Sequence, residues 1–426
     1  MAKVFIFKTF AIFFYPFNKV EVSFAIIKSN KMKGFFLACI AFTIGFSANS
    51  QSFKKIHQQA IVCDTHNDII STCIEKGYSF DQDLTGKTHS DLNRMLNGGL
   101  DVQVFSIYCD GKQENPYQFA NREIDTLYSW IKRNPAKMML VSTPSQLDKA
   151  VKEHKLGCMM GVEGGHMIEN DLNKLDSLYK RGVRYMTLTW NNNNSWATSA
   201  QYESGNQKKE NVTPQKKGLS DFGIQVIKRM NQLGLMIDLS HTGEQTFWDA
   251  INNSTKPILV SHSDAFALCP VYRNLKDDQI KAVAKNGGVI DLNFYPAFLD
   301  STVEPKLNAY YKKHREEKKA LIQSGKKDFE ADDIIAKKYS KEFEEMEVPF
   351  SLLFDHLEYI INLAGIDHVG LGGDFDGISI TPKILTDVTK YPMITKELVK
   401  RGYSKADIDK ILGGNFIRVF KANEAD

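Results

Sequence analysis

A histidine and an aspartate two residues apart end the first short apolar run of the chain, in the sequence Asp64–Thr65–His66–Asn67–Asp68. Side chains two positions apart on a β-strand point to the same side, so His66 and Asp68 can bind one metal ion together. A surface loop would also produce this short pattern. His66 and Asp68 therefore indicate a metal site only if further potential ligands are found elsewhere in the chain.

Three further potential ligands also follow apolar runs. Glu163 precedes two glycines, which would let a substrate or a backbone segment approach closely. His241 and His262 each follow a serine at the end of a run. Taken singly, each residue is explained by a strand-to-loop exit or by a hydrogen-bonded histidine. The repetition of Ser-His at two neighbouring runs favours a shared site.

The elements that must position these residues are apolar runs separated by longer amphipathic segments. Eight runs read as continuous β-branched or aliphatic stretches, as expected for parallel strands buried on both faces. They are Ile61–Asp68, Leu100–Cys109, Lys155–Gly165, Arg184–Trp190, Leu235–His241, Pro257–Ser263, Gly287–Tyr295 and His368–Asp376. The clearest helix is Asp221–Leu233, with Ser220 as its N-cap and Gly234 as its end. This alternation predicts an α/β protein with a (β/α)8 TIM-like barrel, and a doubly wound open sheet is the competing topology.

Six polar residues lie at the carboxyl ends of predicted strands 1, 3, 5, 6 and 8: His66, Asp68, Glu163, His241, His262 and Asp374. Barrel enzymes place their active sites at this end, whereas unrelated polar residues would scatter over both ends. Two imidazoles, a His-Asp pair and a shared glutamate suit two borderline divalent ions such as Zn²⁺. The sequence therefore predicts a binuclear centre whose bridging hydroxide attacks a carbonyl, with Asp374 as the proton shuttle.

One segment interrupts the alternation. Val303–Val348 is dense in lysine and glutamate and lies between the seventh and eighth predicted strands. We predict a helical insertion over about residues 303–348. It forms either a solvated helical hairpin or a flap over the strand ends.

The first 50 residues do not resemble part of a fold. Lys31–Met32–Lys33 precedes the apolar run Gly34–Phe46, and Ala48–Asn49–Ser50 follows as a small-residue cleavage site. This layout predicts a secretory signal peptide or N-terminal extension over 1–50, and a single domain over 51–426 that is secreted or periplasmic. Met32 is an alternative start to Met1, and an uncleaved N-terminal anchor is the alternative to cleavage. No stable membrane span is expected after processing.

Charge and cysteine content exclude some function classes. Six lysines and one glutamate in residues 1–50 contribute +5 to a formal charge of +3, which leaves −2 for the rest. Nothing therefore indicates nucleic acid or an anionic membrane as a partner. The five later cysteines have no C-x-x-C spacing, so neither a disulfide framework nor a thiol nucleophile is expected. They are Cys63, Cys73, Cys109, Cys158 and Cys269.

With these residues in view, the chain resembles the membrane (renal-type) dipeptidases, peptidase family M19, within the amidohydrolase-like barrels. The resemblance covers roughly residues 58–422. It is carried by the blocks Asp64–Asp68, Glu163–His166, Ser261–Ser263, Arg273–Asn274 with Asp277–Asp278, and Gly372–Gly377. The blocks follow the family's order, which makes chance a poor explanation.

The resemblance implies a role for each of these residues. One zinc would be held by His66, Asp68 and a bridging Glu163. The other zinc would be held by Glu163, His241 and His262. Arg273 would bind the terminal carboxylate of the substrate, for which its planar guanidinium is suited, and Asp374 would be the catalytic acid and base. Tyr295, at the end of strand seven, is a further substrate contact or a rim aromatic, and a homodimer is expected by analogy.

One block departs from the family. Its members generally carry a histidine in the strand-four block, where this chain has Leu188–Thr189–Trp190 followed by four asparagines from Asn191. An indole offers a single N–H and cannot transfer a proton at neutral pH. Either an asparagine of 191–194 supplies the missing donor to the substrate, or the substrate range has shifted. We therefore include Trp190 and Asn191 among the substrate-binding residues.

These observations predict a zinc-dependent dipeptidase with a dipeptide as its substrate. A second hypothesis keeps the metal site but places a lactone, a β-lactam-type amide or an N-acyl amino acid in it. A third is a metal-binding protein without catalytic activity, against which the complete ligand set argues.

Overall fold

The computed structural model describes residues 53–205 and 216–425. These residues belong to one compact unit, Ser50–Asp426. The predicted signal peptide, the alternative anchor and the alternative start lie outside the described residues. No helix among the described residues is both long enough and apolar enough to cross a membrane.

Parallel strands form the centre of the molecule, and each predicted run overlaps one of them. The described strands are β1 (Cys63–Asn67), β2 (Val102–Tyr108), β3 (Met138–Leu140), β4 (Leu156–Glu163), β5 (Val183–Thr187), β6 (Met236–Asp238), β7 (Leu259–Val260), β8 (Val289–Leu292) and β9 (Val369–Leu371). Their order is β1-β2-β4-β5-β6-β7-β8-β9, and the short β3 pairs with the start of β4 off this path. The predicted (β/α)8 barrel is confirmed, with β3 as an addition.

The barrel closes where its first and last strands meet. Asn67 and Phe375 form a parallel bridge. On either side of it, the Asp374 amide donates to the His66 carbonyl at 3.1 Å, and the Asp68 amide donates to the Phe375 carbonyl at 3.0 Å. Closure therefore places the residues that follow β9 directly beside the His-Asp pair that ends β1, although the two segments are far apart in sequence.

Helices surround the strands. They are Ile69–Lys76, Leu92–Asn97, Pro116–Arg133, Pro144–Lys152, Leu172–Lys180, Ala200–Glu203, Asp221–Leu233, Glu244–Asn253, Asp277–Asn286, Pro296–Leu299, Val303–Gln323, Asp328–Lys338, Ser340–Glu344, Ser351–Ala364, Tyr391–Lys400, Lys405–Asp409 and Asn415–Asn423. Asp221–Leu233 has the predicted ends: the Ser220 side chain accepts from the Gly223 amide, and Gly234 adopts φ 74°. This cap and this left-handed glycine satisfy groups that the helix ends would otherwise leave unpaired.

The segment 303–348 is largely helical. Its helices Val303–Gln323 and Asp328–Lys338 bury few side chains each, among them Leu307, Tyr310 and Ile335. Lys76, at the end of the first barrel helix, forms an ion pair with Asp333 at 3.3 Å. The helical pair therefore contacts the barrel at the C-terminal end of the helix Ile69–Lys76.

Side chains alternate along the strands between the barrel interior and the surrounding helices. In β2, Val102 and Val104 belong to an interior cluster that the C-terminal helix closes with Phe416, whereas Phe105 and Ile107 pack with the surrounding helices. The next interior position after Val104 is Ser106, which reaches the polar upper end. The apolar layers thus form the floor under the residues that could bind metal.

One carboxyl group of this interior is fully buried. It belongs to Asp291, in β8, and its contact with the Thr65 hydroxyl offsets only part of the cost of burial. Burial raises its pKa well above the ordinary value, and the nearby carboxylates of Asp64 and Asp238 add to the shift. The folded chain therefore binds a proton here that the unfolded chain releases.

This burial makes stability depend on pH. Because the folded pKa of Asp291 is raised, its contribution to stability is present below the unfolded pKa of about 4 and is lost as pH rises towards the folded pKa. Asp291→Asn removes the ionisation, so its free energy of unfolding should exceed that of wild type by an amount that grows with pH. The slope is up to about 1.4 kcal/mol per pH unit within that window. Urea unfolding at several pH values measures it, and a difference that stays constant with pH would refute the assignment.

Candidate metal centre

Five of the six predicted polar residues converge at the carboxyl end of the barrel, around Glu163. His66 lies in β1 and Asp68 directly follows it, while Glu163 is the last residue of β4. His241 lies three residues after β6, and His262 lies two residues after β7. All five are buried.

The two oxygens of Glu163 face different partners. Its Oε2 lies 3.5 Å from His66 Nε2, and His66 Nε2 lies 3.4 Å from Asp68 Oδ2. Its Oε1 lies 2.9 Å from His241 Nε2 and 3.6 Å from His262 Nε2. The two histidine Nε2 atoms are themselves 3.0 Å apart. Glu163 therefore stands between a His-Asp pair and a His-His pair.

This donor set fits divalent metal ions. Ligand atoms of His66, Glu163 and His262 lie within 4.8 Å of one another, and so do those of His66, Asp68 and Asp374. His66 Nε2 and Asp68 Oδ1 are buried without a hydrogen-bond partner in the described part of the chain. Buried polar atoms of this kind are costly unless a further group satisfies them. Imidazole nitrogens with carboxylate oxygens are ligands that zinc-like ions accept.

Each histidine is oriented by a contact to its other ring nitrogen. Nδ1 of His66 lies 2.9 Å from the Tyr185 hydroxyl, and Nδ1 of His262 lies 2.7 Å from the Ser261 hydroxyl. Nδ1 of His241 lies 3.0 Å from Oδ1 of Asn191. Such contacts fix the ring and its tautomer, and they leave Nε2 directed at the centre.

Asn191, which we predicted to contact the substrate, also contacts His241 through its amide oxygen. Its amide oxygen accepts from a protonated Nδ1, which leaves Nε2 of His241 with a lone pair for a metal. Asn191→Ala should therefore lower metal affinity by about 10–100-fold, the usual effect of removing such a partner. Competition with a chromophoric chelator measures the affinity. Asn192→Ala is the matched control, since the Asn192 side chain bonds the Asn193 carbonyl of its own loop; an equal loss in both variants would refute the role of Asn191.

Charge interactions dominate the protonation of the centre. Burial alone would raise the pKa of Glu163, but the charges of His66 and His241 hold it well below the ordinary value. Burial lowers the pKa of His241 to about 4, and the Arg273 charge contributes to that shift. Burial would lower the pKa of His66, but Tyr185, Glu163 and Asp68 raise it well above the ordinary value. A metal ion bound at His66 would therefore displace the proton of that ring, whereas Glu163 and His241 already favour the ionised and the neutral form that a metal ion requires.

Asp374 lies at the edge of the same centre. The Asn293 amide donates to its Oδ2 at 2.9 Å. Its backbone adopts φ 57° and that of His241 adopts φ 61°, a left-handed conformation that non-glycine residues rarely take and that is often found at functional sites. Burial raises the pKa of Asp374 to about 8, with Asp68 and Glu163 adding to the rise. The carboxyl group can therefore carry a proton at neutral pH.

The other predicted site residues surround this centre. Arg273 is buried, and its guanidinium lies 3.3 Å from the His262 carbonyl and 5.2 Å from the centre of the Phe298 ring. The Tyr295 ring lies 5.1 Å from that of Phe298. The Trp190 ring lies 6.3 Å from that of His241. The structure thus brings Arg273 and Trp190 beside the two histidines, with Tyr295 next to Phe298 on the Arg273 side.

The sequence analysis missed the residues that orient these groups. Asn293 and Ser261 were visible as polar residues at strand ends, and that position was the signal that could have identified them. Tyr185 gave a weaker signal: its ring crosses the barrel interior close to Gly161, where a Cβ would lie 2.0 Å from the Tyr185 ring. A glycine inside an otherwise bulky strand can mark such a close approach.

Comparison with known proteins agrees with this geometry. Residues 50–426 match the family described as membrane dipeptidase (peptidase family M19). An uncharacterized dipeptidase of Schizosaccharomyces pombe is 31% identical over 396 residues, which cover 88% of this chain and 83% of the yeast protein.

Two solved structures share the fold. The probable dipeptidase PvdM of Pseudomonas aeruginosa is 25% identical with a TM-score of 0.72, and the match covers 89% of this chain and 99% of that one. A metallo peptidase of Rhodobacter sphaeroides, solved with a phosphinate mimic of the dipeptide L-Ala-D-Ala, is 22% identical with a TM-score of 0.67 and covers 86% and 100%. From the family match and the yeast relative, we conclude that the chain belongs to the membrane dipeptidases of peptidase family M19 and is a metal-dependent hydrolase of peptide bonds.

Proposed function

We propose that the chain is a zinc-dependent dipeptidase that uses two ions, the substrate being a dipeptide with a free terminal carboxylate. The observation that carries this proposal is the division of the Glu163 carboxylate between two donor pairs. His66 and Asp68 would hold one ion with Glu163, and His241 and His262 would hold the other. When bound, such ions supply Lewis-acid chemistry that activates water and polarises a carbonyl.

The protein's own residues would do the remaining work. In its ionised form, the Asp374 carboxylate would take a proton from the attacking water and then deliver it to the leaving nitrogen, and its raised pKa makes it a stronger base for the first transfer. The Asn293 amide would keep the Asp374 carboxyl group turned towards the centre. Apolar strand residues below the centre would exclude bulk water, which strengthens each electrostatic interaction inside.

Arg273 supports a free carboxylate on the substrate. Its Nε has no hydrogen-bond partner among the described residues although it is buried, so the guanidinium has unused donor capacity beside His262. A guanidinium binds a carboxylate through two parallel hydrogen bonds. The Rhodobacter relative was solved with a phosphinate mimic of the dipeptide L-Ala-D-Ala, and a dipeptide ends in a free carboxylate.

Arg273 gives a test of substrate class. Arg273→Ala should raise KM for dipeptides by about 10²-fold, because a charged hydrogen-bonded pair contributes about 1.5–3 kcal/mol. The same change should have little effect on a dipeptide amide, which has no terminal charge. Steady-state kinetics on matched dipeptide acids and amides measures both. An equal rise in KM for the two substrates would show that Arg273 acts on the fold of the site and not on the carboxylate.

Trp190 supports a second candidate, a related hydrolase acting on a lactone, a β-lactam-type amide or an N-acyl amino acid. Its indole, beside His241, presents an apolar wall where the family generally has a histidine. Such a wall would suit a substrate with a bulkier or less polar group at the reacting carbonyl.

One experiment tests both candidates. Metal-stripped and zinc-restored protein is assayed on a panel of dipeptides, lactones and N-acyl amino acids, with metal content measured by elemental analysis. We expect dipeptide hydrolysis that disappears on stripping and returns with zinc. Activity that is indifferent to chelation would refute the metal mechanism, and lactone turnover exceeding dipeptide turnover would replace the first candidate with the second.

A further inference from the structure

Tyr108 is the last residue of β2 and lies next to the proposed metal centre. It pairs in register with Glu163 of β4. Every second residue of β2 points to the barrel interior, namely Val104, Ser106 and Tyr108. The Ser106 hydroxyl donates to Oε2 of Glu163 at 3.3 Å. Tyr108 is one interior position further towards the open end of the barrel. Its side chain therefore rises beside the Glu163 carboxylate.

The surroundings of Tyr108 keep its hydroxyl protonated and available. Its ring meets the Trp190 ring edge-on, with centres 5.1 Å apart, and this contact holds the phenol in one orientation. A phenol has an ordinary pKa of about 10, so its hydroxyl carries its proton at neutral pH. In the chain as described, the hydroxyl has no hydrogen-bond partner. A neutral O–H donor thus stands unengaged at the rim of the centre.

Three of the neighbouring amide side chains already donate to groups of the protein. Asn192 donates to the Asn193 carbonyl, Asn194 donates to the Leu188 carbonyl, and Asn293 donates to Asp374. Asn191 contacts His241 through its amide oxygen, so its NH2 group is the competing donor to a substrate carbonyl. The comparison of Asn191→Ala with Tyr108→Phe distinguishes the two donors.

We propose that Tyr108 is a further catalytic residue, whose phenolic O–H donates a hydrogen bond to the scissile carbonyl oxygen as that oxygen gains negative charge. The inference rests on the proposed dipeptidase function. When water adds to the carbonyl carbon, the π electrons of the C=O bond move to the oxygen and the water proton passes to Asp374. When the C–N bond breaks, the carbonyl re-forms and the proton goes to the leaving nitrogen. Tyr108 keeps its own proton throughout.

The closing experiment uses Tyr108→Phe, which preserves the ring contact with Trp190 and removes only the hydroxyl. We expect kcat for a dipeptide to fall by about 10²-fold, the scale for loss of one such donor. KM should change little, because the donor acts when the oxygen is charged. Affinity for a phosphinate dipeptide mimic, whose tetrahedral oxygens resemble that charged state, should fall by a similar factor. Metal content should equal that of wild type.

Tyr359→Phe is the matched control, because its hydroxyl donates to Asp277 away from the centre; it should match wild type in all four measurements. Unchanged kcat and unchanged phosphinate affinity in Tyr108→Phe would overturn the inference, and so would a rise in KM with kcat preserved. If wild type hydrolyses no dipeptide with zinc restored, the proposed function itself fails. Failure of the proposed function can be distinguished from failure of the Tyr108 inference, because phosphinate binding by the two variants reports on the Tyr108 hydroxyl without any turnover.

Discussion

Replacing Glu163 with glutamine is expected to remove the bound metal and, with it, dipeptide hydrolysis. The carboxylate stands between His66 and Asp68 on one side and His241 and His262 on the other, with contacts of 2.9 to 3.6 Å. Two opposite unit charges about 4 Å apart attract by about 4 kcal/mol at an effective dielectric constant of about 20. If the bound ion carried one positive charge, losing this attraction would weaken metal binding by about 10³-fold. A divalent ion is attracted more strongly, so its affinity should fall by more.

Metal titration of the purified variant is the decisive measurement, since it does not depend on turnover. Glu123→Gln is a closely matched control, because Glu123 is also a fully buried glutamate. Burial raises the pKa of Glu123 well above the ordinary value, whereas that of Glu163 is held below it, so the amide substitution removes less charge at Glu123 than at Glu163. Metal content should be retained there and lost in Glu163→Gln. Retention in both would show that Glu163 is not a ligand.

Much of the fold followed from the sequence because one physical rule governs it. A parallel strand buried on both faces must be a continuous apolar run, and eight such runs separated by helical segments are enough to predict the barrel. The short β3 was not predicted, because Met138–Leu140 is three residues long and pairs only with the start of β4. A run of that length carries no periodic signal.

The grouping of His66, Asp68, Glu163, His241 and His262 was predictable for a related reason. The carboxyl ends of parallel strands share one edge, so residues that end different strands must lie near one another. What each residue contacts beyond that edge was not predictable. The contact between His66 and Tyr185 joins segments 119 residues apart, and it depends on the space that Gly161 leaves in the barrel interior.

Trp190 shows most clearly what the sequence could not predict. A tryptophan in place of the family's histidine suggested that a hydrogen-bond donor to the substrate was lost, and the asparagines after it suggested a replacement donor. The structure turns those asparagines towards His241 and their own loop, and it places the Trp190 ring against Tyr108. Nothing in the strand β2 pattern distinguishes Tyr108 from an ordinary aromatic at a strand end. Only the register between β2 and β4 connects it with Glu163.

Replacing Asp374 with asparagine is expected to separate catalysis from metal binding. Asparagine keeps the shape of the side chain and its contact with Asn293, but it can neither accept the proton of the attacking water nor return one to the leaving nitrogen. General acid and base catalysis contributes about 10²–10⁴-fold, so kcat should fall by that factor. Asp374 does not belong to the two sets of ligands proposed around Glu163, although its carboxylate lies within 4.8 Å of ligand atoms of His66 and Asp68. Metal content is therefore measured beside kcat, and we expect it to persist because the five proposed ligands remain. Affinity for a phosphinate dipeptide mimic should persist as well, since that molecule binds without proton transfer.

The adjacent loop supplies the control for this prediction. Asp376 also has a left-handed backbone, with φ 69°, but its carboxylate accepts from the His89 amide at 2.7 Å. Asp376→Asn should therefore disturb the loop and lower thermal stability while leaving kcat within about threefold of wild type, as expected for a residue that takes no part in the reaction. If Asp376→Asn lowers kcat as much as Asp374→Asn does, the loop conformation is what matters. A large loss confined to Asp374→Asn, with metal retained, would assign the proton transfer to that carboxyl group alone.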